Sequence, residues 1–236
     1  MRIQFYFLFV LLSHLILSQN VQKKEVCMLC KSEDYLHVSP YDFSLKKELP
    51  FVITSVGALL IGKLLNQTAR LDAFTESEVE ALDRNDVNRF DRSATYNYDP
   101  QAAEISDYFR LGVVVMPALF LTNRHTRKDI KGLAILTLEV VSINYGLTNS
   151  VKYLVNRTRP LVYNENVPID IRTDAQSRLS FFSGHTSHTA AVSFMFAKVI
   201  NDYHPNLSTS KKIYLWGAAG SIPVLTGYLR VKSGKH

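Results

Sequence analysis

Two stretches of this chain gather side chains able to hold an oxyanion and move protons beside it. "KYLVNRTRP", residues 152–160, carries Lys152, Arg157 and Arg159 at the end of an apolar run. In a helix, Lys152 and Arg159 stand two turns apart and project from nearly one face. Pro160 disfavours helical geometry at Arg159 and predicts a helix exit there. Taken alone, the cluster reads as a solvated basic helix end favoured by the macrodipole. Arg157 lies off the Lys152 face and reads as solvated or as a lipid-headgroup contact. "SFFSGHTSHTAA", residues 180–191, puts Ser183, Gly184 and His185 at the start of a helical pattern. A helix N-terminus offers unpaired N–H groups and a positive dipole end, and glycine lets an anion approach the main chain. Ser183 can cap the helix or donate its hydroxyl, so the stretch forms a phosphate cradle with His185 at its lip. A third cluster, "LRVKSGKH", places Arg230 six residues before His236.

Together the three clusters resemble the type 2 phosphatidic acid phosphatase and vanadium haloperoxidase superfamily. Its pattern is lysine, six residues, Arg-Pro; then Pro-Ser-Gly-His; then Ser-Arg, five residues, histidine, three residues, aspartate. Lys152, Arg159 and Pro160 fit the first element, Ser183, Gly184 and His185 the second, Arg230 and His236 the third. Their order and spacing agree, with 21 residues between Pro160 and Phe182 and 43 between His185 and Leu229. Phe182 replaces the proline and Leu229 the serine, at positions whose side chains need not touch phosphate. The aspartate that orients the family's nucleophilic histidine would follow His236 by four residues and is not in this sequence, so the third motif reads as truncated.

The resemblance implies a metal-independent phosphatase. His236 attacks phosphorus to give a phosphohistidine that water then hydrolyses. His185 is the general acid for the leaving oxygen and afterwards activates the water. Histidine suits both roles because its ordinary pKa, near 6.5, permits one neutral and one protonated copy. Lys152, Arg159, Arg230, the Ser183 hydroxyl and the Gly184 N–H hold the phosphoryl oxygens. No cofactor is implied, except vanadate if the chain is a haloperoxidase. A further alternative is an inactive truncated chain that binds phosphate. The implied substrate is a phosphomonoester or pyrophosphate, lipid-linked, of the phosphatidic acid or isoprenyl pyrophosphate type. Nucleic acid is not an expected partner, and the sequence leaves the oligomeric state open. His188, one turn from His185, has no companion at metal-ligand spacing, and Tyr153, Trp216 and Phe181 read as packing residues.

The elements that must position these groups are helical. Apolar stretches recur near 50–65, 105–122, 131–155, 186–200 and 212–229, without the alternation of strands. The fold class expected is all-α, a single-domain helical bundle. An N-terminal extension over 19–104, with one apolar helix and a polar loop, precedes a phosphatase core over 105–236. Within the polar part, Asp83, Asn85 and Asp86 superficially resemble a calcium loop but lack its alternating ligands and turn glycine. Residues 1–18 have a basic start at Arg2 and an apolar stretch of about 15 residues, short of the roughly 20 that span a bilayer, and read as a secretory signal. That places the mature chain in the cell envelope, membrane-associated or periplasmic. Cys27 and Cys30 read as a local disulfide or idle thiols. The net charge of +6 suits an anionic partner without requiring one.

Two arrangements of the helices agree with the sequence. Lys63, Arg110 and Glu139 interrupt the apolar stretches and mean hydropathy is −0.01, which suits buried core helices. The stretches are nevertheless very apolar for surface helices, and "RHTRKDIK" would suit a cytoplasmic loop.

Overall fold

The computed structural model describes residues 39–68 and 71–236. The secretory signal expected over 1–18 and the Cys27/Cys30 pair lie outside the described residues. Among the described residues the fold is all-helical, with no strand. Five long helices form the frame: α1 Leu45–Thr68, α2 Pro100–Val115, α3 Ile130–Val155, α4 Gly184–Tyr203 and α5 Thr209–Lys232.

Local sequence sets the starts of these helices. Asp99 accepts from the Ala102 N–H at the start of α2, with Pro100 in the first turn where its missing N–H costs nothing. Ser183 and Ser208 cap α4 and α5 in the same way. The apolar stretch expected as one element over 105–122 is divided. α2 ends at Val115, and Met116–Leu121 continues as a 3-10 turn that carries Pro117. α3 also ends earlier than the sequence suggested. Asn156 adopts a left-handed conformation, φ 46°, after Val155, so residues 157–159 leave the helix before Pro160 is reached.

α4 lies centrally, packed on α3, α5 and α2, whereas α1 packs along α3. Phe43 lies against Gly132, and Tyr153 donates to Asn66 at the other end, so α1 and α3 run parallel. α4 returns antiparallel to α3, tied by Thr148 to Ser187 near its start and by Tyr203 to Asp129 near its end. Phe120, Leu133, Val192, Met195 and Val199 fill the core between these helices. Glu139, the acid that interrupts α3, is buried at 6% exposure and faces Glu48 of α1.

A smaller cap covers the end of the bundle where α3 and α5 finish and α4 begins. The polar segment before α2 contributes the short helix Glu76–Glu80, closed by a capping box of Thr75 and Glu78, and two 3-10 turns. Phe74 and Val79 pack there with Leu161, Val162 and Val167. Asp83 caps its own turn through the Asn85 N–H. Arg178 lies over the Phe74 ring, 3.6 Å from its centroid, and pairs with Glu78.

Among the described residues two helices, α1 and the one that begins at Ile130, are long and apolar enough to cross a membrane. Only 11% and 22% of their apolar windows are buried within the fold. Ile53, Leu60 and Leu64 of α1, Leu138 of α3, and Val224 and Tyr228 of α5 turn outward.

Candidate active site

The three sequence clusters meet where the cap closes the bundle. Lys152 reaches in from the last turn of α3, beneath the start of α4. A Cβ placed on Gly184 would lie in ordinary contact with Lys152 Nζ, at 3.5 Å, and tight against Thr148 Cγ2, at 3.3 Å, so the ammonium lies beside the helix N-terminus. The Ser183 hydroxyl is engaged as the cap, accepting from the N–H and hydroxyl of Thr186.

Arg159 arrives by a different route from the one its spacing suggested. It lies in extended backbone beyond the end of α3, and its N–H donates to the Ser177 carbonyl at 2.7 Å. A loop rather than a shared helix face brings it to Lys152. Arg157, expected to be solvated or at a headgroup, instead pairs with Asp91 at 2.7 Å and fastens this loop to the cap.

Arg230, in the last turn of α5, is only 3% exposed, and its Nη1 donates to Ser106 of α2 at 3.4 Å. The chain then turns back on itself. The Lys235 and His236 N–H groups both donate to the Arg230 carbonyl. Gly234 takes φ +70°, and a Cβ there would stand 2.2 Å from the Asn97 carbonyl. Its own carbonyl accepts from the Leu161 N–H at 2.8 Å, and Asn97 donates to the Val231 carbonyl. These ties fold the end of α5 into the site.

His236 Nδ1 contacts the Ser180 carbonyl, which leaves Nε2 as the nitrogen bearing the lone pair. Burial, then the positive charges of Arg230, Arg159 and Lys152, hold this imidazole well below its ordinary pKa. It is neutral at neutral pH, as a nucleophile must be. The charges of Arg230, Arg159 and Lys152 all act on this one ring.

His185 stands in the first turn of α4. Its Nε2 contacts Asp107 Oδ1 of α2 at 2.5 Å, which leaves Nδ1 without a hydrogen-bond partner among the described residues. Burial, then the charge of Arg230, lower its pKa to about 4, against the opposing pull of Asp107. Asp107 belongs to no motif and was not found from the sequence. The available signal was an acid and a base, Asp107 and Arg110, one turn apart within the apolar run "ISDYFRLGVVV".

Like charges gathered out of water repel and are poorly solvated, so such a cluster is costly without an anion. Burial and Arg159 together push even the Arg230 guanidinium down to about 10. Arg159 Nε and Arg230 Nε are buried with no acceptor among the described residues. Donors left in this way fit an oxyanion held by charge-assisted hydrogen bonds.

An all-helical fold that gathers cations and histidines in this way is compatible with phosphoester hydrolysis. The model of the PAP2 superfamily matches residues 132–236, the region that carries all three motifs. That superfamily includes the phosphatases and haloperoxidases resembled above, and it supports phosphoester hydrolysis in general. No curated protein and no solved structure gives a significant match.

Proposed function

We propose that this chain is a phosphatase of the cell envelope that hydrolyses a lipid-linked phosphate ester through a phosphohistidine on His236. The observation that carries the reading is the convergence of Lys152, Arg159 and Arg230 on the His236 ring, with two guanidinium Nε atoms lacking an acceptor among the described residues.

In this mechanism the three cations and the Gly184 N–H hold the phosphoryl oxygens, while the Ser180 carbonyl keeps the Nδ1 proton in place. The Nε2 lone pair attacks phosphorus and the bond to the leaving oxygen breaks, with that oxygen taking a proton from His185. Water then attacks the phosphohistidine and gives its proton to His185. The nitrogen–phosphorus bond breaks, and phosphate and neutral His236 are regenerated. The charge that spreads over the equatorial oxygens in the transition state meets donors already in place. The outward apolar faces of α1 and α3 support a substrate met at a membrane.

Phosphate release from a short-chain lipid phosphate in detergent, with EDTA present, tests the proposal. His236→Ala should fall to background and His185→Ala should lose roughly 10²–10⁴-fold, the usual worth of a general acid. Turnover surviving both substitutions would remove the mechanism.

A further inference from the structure

We propose that Ser106 of α2 is a positioning residue for Arg230, holding one end of the guanidinium so that its Nε–Nη2 edge faces the phosphoryl group. This rests on the phosphatase reading and adds to it a residue outside all three motifs and outside the matched region, 132–236.

Ser106 is fully buried on a helix that packs against both α4 and α5. Its hydroxyl proton is already committed, because Oγ donates to the Ala103 carbonyl at 2.6 Å. Toward any further neighbour the oxygen can therefore only accept. That neighbour is Arg230, whose Nη1 donates to it at 3.4 Å. The next residue, Asp107, contacts His185 Nε2 at 2.5 Å, so adjacent residues of α2 hold two groups of the site side by side. The Arg230 carbonyl in turn accepts from the His236 N–H at 3.3 Å.

Within a guanidinium, Nε and Nη2 share one edge, whereas Nη1 lies on the side of Cδ. The contact to Ser106 thus occupies the nitrogen that is not part of that edge. Among the described residues, Nε is buried without an acceptor and Nη2 makes no hydrogen bond. Two parallel N–H groups left open in this way match two oxygens of one phosphoryl group.

A hydroxyl also tethers the guanidinium without cancelling its charge. In the cap, Arg157 and Arg178 are held instead by carboxylates, Asp91 at 2.7 Å and Glu78 at 3.0 Å. No carboxylate among the described residues forms an ion pair with Arg230. The tether is long, since 3.4 Å exceeds the usual range of about 2.7–3.2 Å. It directs the guanidinium more than it binds it, and leaves the group free to close on an anion.

Orthovanadate, a phosphate-shaped oxyanion, reports on Arg230 without requiring turnover. Its Kd, read by titration calorimetry on the detergent-solubilised full chain at neutral pH, should rise about 3- to 10-fold in Ser106→Ala, the strength of a neutral hydrogen bond. Ser106→Thr, which returns the hydroxyl, should recover most of that affinity. Ser106→Cys, similar in size to serine but a poor acceptor, should resemble alanine. Ser193→Ala is the packing control: Ser193 is equally buried, donates to the Ala219 carbonyl at 2.9 Å, and should leave the Kd unchanged when replaced. An unchanged Kd in Ser106→Ala, a threonine variant no better than alanine, or an equal loss in Ser193→Ala would overturn the proposal. A wild type that binds vanadate but releases no phosphate from a lipid phosphate would instead sink the phosphatase reading alone, and one that binds no vanadate would remove both.

Discussion

Replacing Asp107 with asparagine keeps the shape of the contact to His185 and removes its charge. The carboxylate is 52% exposed and the imidazole 19% exposed, with 2.5 Å between them. A hydrogen bond to a charged group contributes about 1.5–3 kcal/mol, and half-exposure of the acid puts this one near the lower end. A loss of about 1.5 kcal/mol in the step that uses the His185 proton is roughly tenfold in kcat. The sign of the pH effect follows from the geometry. Asp107 favours the protonated imidazole, so its removal lowers the His185 pKa further and reduces the fraction able to donate a proton. In a pH–rate profile on a monophosphate lipid, the decline that accompanies loss of the His185 proton should move to lower pH in Asp107→Asn, with KM little changed. A purely structural role for Asp107 would lower the rate without moving the profile. An unshifted profile with an undiminished rate would refute the assignment.

Two other outcomes follow from the clustered cations and the depressed histidines. Orthovanadate or phosphate should raise the Tm, because a ligand at 100 times its Kd adds about 2.7 kcal/mol; Arg159→Ala should lose most of that shift in differential scanning fluorimetry. Stability should be greatest above pH 6.5 and decline as pH falls toward 4, because the unfolded chain takes up protons that folded His185 and His236 resist. Denaturant unfolding at stepped pH should show that decline, and a His185→Gln, His236→Gln double variant should flatten it.

The helical class and the three clusters were legible because helical periodicity and motif spacing are local properties of the chain. The joining of Lys152 to Arg159 was anticipated for a reason the structure replaces. Their spacing suggested a shared helix face, whereas Asn156 ends α3 and a loop held by Ser177 delivers Arg159. The partner of Arg157 was not legible, since Asp91 lies in a segment without periodicity and the ion pair forms only when the cap folds. Asp107 was hidden for a related reason. It stands 78 residues from His185, and only the packing of α2 on α4 brings them together. Arg110 was visible as a charge interrupting an apolar run, a signal that marks the residue as unusual without saying what it faces.

The His236 imidazole, the nucleophile proposed above, is held by main-chain atoms, through the Ser180 carbonyl and through the Gly234 carbonyl tied to the Leu161 N–H. The grip itself therefore does not pass through the side chains at 161 and 180, although Leu161 is packed in the core of the cap. The number of residues between those two anchors cannot drift freely. A single insertion or deletion there would carry the next carbonyl, pointing elsewhere, to the place where the ring expects one, so this stretch is constrained by length as well as by composition.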